Sequence, residues 1–179
     1  MANSASPIET VVIITKENHT FDNYFGTFAG ANGDPTLPQA PNPPKNDPNH
    51  THEAWLARKT GATRLGYKQH DIPTYFTYAS EFTLCDNYFS AVAGPSTPNH
   101  LMLIAADSPL IDNPRTYRGQ PETTYDLHSL PDQLDAANLT WANYSTGYPF
   151  NLITNLGARN MKAQSTFAGD AAAGRLANV

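Results

Sequence analysis

A single cysteine, Cys85, stands in the 179 residues. Its solitude excludes an intrachain disulfide and a cysteine zinc cluster. In the setting FTLCDNYF, a small buried hydrophobe is the expected role. Positive charge is scarce as well: 11 Lys and Arg face 16 Asp and Glu, a formal charge of −5. No cationic excess is present to hold nucleic acid or an anionic bilayer by bulk electrostatics, so neither is an expected partner. No window approaches the roughly 18 apolar residues that span a bilayer. The opening MANSASPIET has no basic start and no apolar run, so no signal peptide is visible and a cytoplasmic location is the expectation. Sequons at Asn18, Asn49, Asn138 and Asn143 read as accidental in that setting. With 40% hydrophobic and 15% charged residues, a chain of this length can bury about 70% of its extended surface in one domain.

What is present is an alternation of strand-like and helix-like segments. VVIIT (residues 11–15) reads as one buried strand. Residues 29–49, centred on GANGDPTLPQAPNPPKNDP, read as a long irregular loop, the kind that is usually a functional cover or a disordered span. HTHEAWLARKT (50–60) has the content of a short helix, and PTYFTYASEF (73–82) reads as a helix opened by Pro73 with Asp71 near its cap. TLCDNYFS (83–90) reads as a strand with its exit. NHLMLIAADS (99–108) reads as a helix with Pro98 at or near its first position. SLPDQLDAANLTWANYS predicts a helix with Leu130, Leu134 and Ala137 on one face, then a Trp-bearing strand at 139–144. NLITNLGARN and TFAGDAAAGRL predict two short helical pieces. The fold class that follows is α/β, with a mainly parallel sheet flanked by helices. At LANV (176–179) another apolar run is only beginning, which predicts that the domain continues.

Two segments have the residue types of chemistry. Glu17-Asn18 follows the first strand, where open α/β sheets place ligands. A carboxylate and an amide oxygen together suit a hard or borderline divalent cation; an Asx turn at Asn18 is the other reading of the same pair. AGPSTPNH (93–100) has Gly94 for a tight exit, Pro95 and Pro98 for stiffness, and Thr97 as a helix cap. Ser96 then lies at a helix N-terminus, a place for a phosphate or for an alkoxide attacking one, and a metal on its oxygen would activate it. A plain capping turn is the other reading. His50 and His52 form an H-x-H pair at the end of the long loop, a weak zinc signal without further ligands. His100 lies one turn into the Ser96 helix, and His19 flanks Glu17-Asn18. His70 and His128 read as solvated or structural. Tyr24, Phe25, Phe28, Tyr88 and Phe89 are candidates for an apolar approach surface, although aromatics so spaced are more often core.

Taken together these stretches resemble the phosphoesterase family of bacterial acid phosphatases and non-specific phospholipases C, of the alkaline phosphatase-like superfamily. ENHTFDNYFG resembles that family's E-N-x-[ST]-F-D-x-Y-F-G, DPNH its D-P-x-H, and GPSTPNHLML its G-P-[ST]-x-P-N-[RH]. LPDQLDAANLTWANY resembles its passage from a helix into a Trp-containing strand. The resemblance implies an alkaline phosphatase-like fold and a phosphate ester hydrolase working through a seryl-phosphate. It implies that Glu17 and Asn18 are metal ligands and that Ser96 is the nucleophile, itself on the metal. It implies that His50 contacts the phosphate or leaving group, and that Asn99 and His100 adjoin the substrate, Asn99 by shaping the turn. The cofactor implied is one or more divalent ions among Ca, Mg, Mn and Zn; the partner implied is a phosphate ester, monoester or phospholipid head-group diester. The Asp-Asp pair and further histidines that complete the family's metal site have no match, so residues 1–179 read as the N-terminal portion of one phosphoesterase domain. A sulfate ester hydrolase and a non-catalytic fragment or binding module of the same fold are the rival readings.

Overall fold

The structure, a computed structural model, describes residues 7–45, 47–58, 64–114, 116–117, 120–121, 123–146 and 150–176. It is mixed α/β, with six α-helices among the described residues and strands in two short pairs. Two compact units share the chain: Thr15–Gly94, and Met1–Ile14 with Pro95–Val179. No helix among the described residues is long and apolar enough to cross a membrane.

The unit Thr15–Gly94 is organised by the aromatic turn. Thr20 caps α1 (Phe21–Phe25), its hydroxyl accepting from the Asn23 amide at 3.1 Å. The helix carries Phe21, Tyr24 and Phe25 into a cluster with Phe28, Tyr67, Tyr75 and Phe76, at centroid separations of 5.0 to 6.3 Å. Each such pair contributes about 0.5–1.5 kcal/mol beyond its area burial. These aromatics are therefore packing, and of the five proposed for an approach surface only Tyr88 and Phe89 stand exposed.

The long loop is ordered because its backbone finds partners. Asp22 Oδ1 accepts from the Asp34 amide at 2.9 Å, Gly66 N donates to Pro38 O at 2.8 Å, and Ala40 N donates to Gly66 O at 2.9 Å. Leu37 and Ala40 are buried. Asp71 does not cap the next helix. It accepts from the Lys68 amide and from Gln39 Nε2, both at 2.8 Å, and these bonds hold its carboxyl below the usual range. Two helices follow, α2 (His52–Arg58) and α3 (Pro73–Glu81), the latter with Pro73 in its first turn and Phe76 buried. The rest of the expected 50–60 helix, residues 59 and 60, lies outside the described residues. Residues 83–90 form no strand: Asp86-Asn87 makes a turn, and Asp86 Oδ2 accepts from the Asn32 amide at 2.8 Å. Cys85, expected to be buried, is exposed there.

In the other unit α4 (Ser96–Ala105) lays Leu101 against Leu127 and Ile153, with Ala105, Leu110 and Tyr125 around them. Fully burying such side chains contributes about 1.5–3 kcal/mol each. Strands β1 (Thr116–Tyr117) and β2 (Gln120–Pro121) pair antiparallel. Helix α5 (Leu130–Ala136) starts at a capping box in which Ser129 and Asp132 exchange bonds. Arg159 bridges Asp132 and Asp135 at 3.2 and 2.8 Å. Trp141 comes before the strand rather than within it, buried and donating from Nε1 to Asp135 at 2.8 Å. The strand is β3 (Asn143–Ser145), parallel to β4 (Met161–Ala163). The two late helical pieces are a 3-10 turn, Phe150–Ile153, and α6 (Phe167–Ala172) preceded by a 3-10 turn. The apolar run expected at 176–179 lies almost wholly outside the described residues.

The largest departure is at residues 11–15, expected as a buried strand. They run outside any strand and are exposed. No neighbouring strand among the described residues pairs with them, and strand formation needs one.

Asp170 fastens this unit's last elements. Its Oδ2 accepts from Tyr144 Oη at 2.8 Å and Lys162 Nζ at 2.9 Å, and its Oδ1 from Arg175 Nη2 at 3.1 Å. The hydrogen bond from Lys162, then that from Tyr144, lowers its carboxyl to about 2. A depressed pKa stabilises the fold at pH above the ordinary carboxylate value, and that stability drains away as pH falls towards about 2. Asp170→Asn should therefore lower Tm at neutral pH and flatten the fall in Tm between about pH 5 and pH 3. Thermal melts by circular dichroism at both pH values check this.

Candidate functional site

Ser96 is the first residue of α4, with Pro95 in the cap position in extended backbone. The helix thus begins two residues earlier than a start at Pro98 would give, and Thr97 is not its cap. Pro98 sits buried in the first turn, where its missing N–H costs nothing because the first amides of a helix have no internal partner. The Thr97 amide is met by Asn113 Oδ1 at 3.3 Å, from the loop that follows the helix. Asn99 Nδ2 donates to Pro95 O at 3.0 Å and closes the turn on itself. His100 is half-buried one residue further along. Asn113 was not legible in the sequence as a partner of this helix. The only signal was an Asn before Pro114, which marks a turn and not its target.

Glu17, Asn18 and His50 belong to the unit Thr15–Gly94. Glu17 and Asn18 lie on exposed backbone ahead of α1. Asn18 has φ of 65°, the left-handed conformation that Asn adopts more readily than most residues, so the chain bends sharply just after Glu17. His19 stacks on Tyr24 at 4.5 Å, and its Nδ1 contacts Asn23 Oδ1 at 2.5 Å. It is committed to the aromatic cluster. His50 Nε2 pairs with Asp47 Oδ1 at 2.8 Å, so the D-P-x-H stretch orients its own imidazole. His52 Nδ1 instead contacts Ala93 O at 2.5 Å. The two imidazoles of the H-x-H pair therefore serve different partners.

Divalent cations take about four to eight ligands. Glu17 and Asn18 offer one carboxylate and one amide oxygen. No group of three or more His, Cys, Asp or Glu side chains able to hold a metal stands together among the described residues. The described residues do not by themselves fit a divalent metal centre.

The sequence matches the Phosphoesterase family over residues 8–52 and 45–171. It is 28% identical over 185 residues to the non-hemolytic phospholipase C of Pseudomonas aeruginosa, covering 76% of this chain and 27% of that protein. It is 26% identical to phospholipase C B of Mycobacterium tuberculosis, covering 76% of this chain and 38% of the relative. The non-specific phospholipase C6 of Arabidopsis thaliana is 24% identical, across 97% of this chain and 43% of its own length. The chain thus spans less than half the length of each of these relatives. On the strength of a match that runs nearly from end to end, the chain belongs to the Phosphoesterase family.

Proposed function

We propose that the chain serves the hydrolysis of phosphate ester bonds, in the manner of a phosphatase or phospholipase C, with Ser96 as nucleophile. The observation that carries the reading is Ser96 at the first position of a ten-residue helix. A hydroxyl there meets the positive end of the helix dipole, which favours both its alkoxide character and the phosphoryl oxygens it attacks. Ser96 Oγ forms a bond to phosphorus as the bond to the leaving alcohol breaks; the alcohol leaves with a proton. Water then attacks the seryl-phosphate and restores the hydroxyl. Asn99 and Asn113 hold the turn that presents Ser96. The names of the relatives favour a head-group diester over a monoester. An alkaline phosphatase-like sheet, with residues 1–179 as the N-terminal portion of one domain, belongs to the same proposal, as do the metal-ligand roles of Glu17 and Asn18 and the phosphate-contact role of His50.

A second reading, a non-catalytic part of the fold, is favoured by the limited share of each relative that the chain covers. Turnover by the 179-residue chain decides between them. A phosphomonoester, a phosphocholine diester and a sulfate ester are each assayed with and without added Ca, Mg, Mn or Zn. The chain alone is expected to turn over little or nothing, because the cation donors gathered among its described residues are too few. The same assay on a polypeptide carrying the whole domain is expected to give phosphate release. Sulfate ester turnover there, or none of any kind, overturns the proposal.

A further inference from the structure

A hollow of about 400 Å³ opens in the unit that holds Ser96. Residues 109–114, in the loop after α4, form most of its lining, and Thr123 and Tyr125 complete it. The size suits a small organic molecule. Pro109, Leu110, Ile111 and Pro114 make the walls largely apolar. Tyr125, packed against the Leu101 cluster, adds an aromatic ring. Among the described residues, Asp112 supplies the lining's only charge.

That combination selects an occupant by charge. An anion, phosphate included, would face the carboxylate with no described lining cation to offset it. A neutral apolar guest would strip water from the carboxylate and return nothing. A divalent metal ion needs several hard donors, and no group of three or more His, Cys, Asp or Glu side chains stands together among the described residues. A compact ammonium group with carbon around it satisfies both parts of the lining. Its charge meets Asp112, and its methyl or methylene groups meet the apolar walls and the tyrosine. A carboxylate has about four acceptor positions, so Asp112 can serve a neighbour and a guest together. The hollow also adjoins the start of α4, because Asn113 lines it and accepts from the Thr97 amide at 3.3 Å.

We infer that this hollow is a binding site for a small organic cation, with Asp112 as counter-ion and Tyr125 as aromatic wall. Its place beside the first turn of α4 suits the ammonium end of a phosphate ester head group, or a free amine of the same chemistry. The link to a head group rests on the reading of Ser96 as nucleophile; the cation site does not, so either can fail alone.

Choline, its uncharged carbon analogue dimethylbutanol, phosphocholine and inorganic phosphate are titrated separately into the isotope-labelled chain, with amide shifts followed by NMR. Choline should move the amides of Asp112, Thr123 and Tyr125 to saturation. Dimethylbutanol should bind about tenfold or more weakly, a test of charge that needs no substitution. Inorganic phosphate should leave these three amides still. Phosphocholine should move them as choline does. Added movement at the Ser96 and Thr97 amides marks a head group as the source, and its absence marks a free amine. Asp112→Asn should lower choline affinity about tenfold or more by removing the counter-charge. Ile111→Lys should do the same by placing a like charge in the lining; the side chain is 61% exposed, so the melting temperature should not change. No movement with choline, equal binding of dimethylbutanol, or movement of the three amides by inorganic phosphate overturns the inference. So does choline binding that survives both replacements.

Discussion

Ser96→Ala, made in a polypeptide that carries the whole phosphoesterase domain, is expected to lower kcat on the order of 10³-fold or more. The loss should fall on the chemical step, because the atom removed is the one proposed to bond to phosphorus. The turn around it should survive. The cap on the Thr97 amide comes from Asn113, and the closure at Pro95 comes from Asn99; neither uses the Ser96 hydroxyl. Two companions give the result its meaning. Ser96→Thr keeps a hydroxyl at the first helical position and should keep part of the rate. Thr97→Ala removes the neighbouring hydroxyl and should change the rate by no more than about threefold. Acid quenching during turnover should trap phosphate on residue 96 of the parent protein and none in Ser96→Ala. Turnover retained by the alanine variant removes Ser96 from the role.

Gly26→Ala carries the largest expected cost to folding. A Cβ there would stand 2.6 Å from Asp22 O and 2.6 Å from Asp34 O, both of them backbone atoms. Gly26 has φ of −54°, so the demand for glycine is one of space and not of handedness. Its counterpart is Gly33, where a Cβ would come within 2.8 Å of Gly26 Cα. The end of α1 and the long loop cross backbone to backbone at this point. Neither carbonyl can retreat without breaking a contact: Asp22 O accepts from the Gly26 amide at 3.1 Å, and the Asp34 amide is held by Asp22 Oδ1. A destabilisation of about 3 kcal/mol or more follows, read as a lower urea midpoint or loss of soluble protein. Gly169→Ala is the control. A Cβ there meets nothing within 4 Å, and the position lies inside α6, so a gain of about 0.5–1 kcal/mol is expected.

Helices were legible in the sequence because their signals are local. Pro73 opened one, and the stiff prolines around Ser96 placed the start of another within two residues. Strands were less so, because a strand is defined by its neighbour: the one expected at 139–144 forms, but only from Asn143 to Ser145. Residues 11–15 have strand composition and, among the described residues, no strand to pair with, while in 83–90 the turn chemistry of Asp86-Asn87 overrode the apolar residues beside it. The candidate site divides in the same way. The place of Ser96 followed from a few adjacent residues. Asn113 on the Thr97 amide, Asp22 on the Asp34 amide and Asp170 among Tyr144, Lys162 and Arg175 are long-range choices that no local pattern announces. The aromatic turn, a candidate for part of an apolar approach surface, is chiefly the packing centre of its own unit.

The loop after α4 has a further consequence. Helix α4 ends at Ala106 in the left-handed conformation, the Ser108 hydroxyl folds back on the Leu110 amide, and the chain returns so that Asn113 meets the amide next to Ser96. Its length is therefore a ruler: one residue inserted or deleted between 107 and 112 carries Asn113 off its mark. The exposed side chains at 107, 109 and 111 can be recoloured, but Ser108 and Leu110 hold the loop and the core, and the number of residues has little room to change.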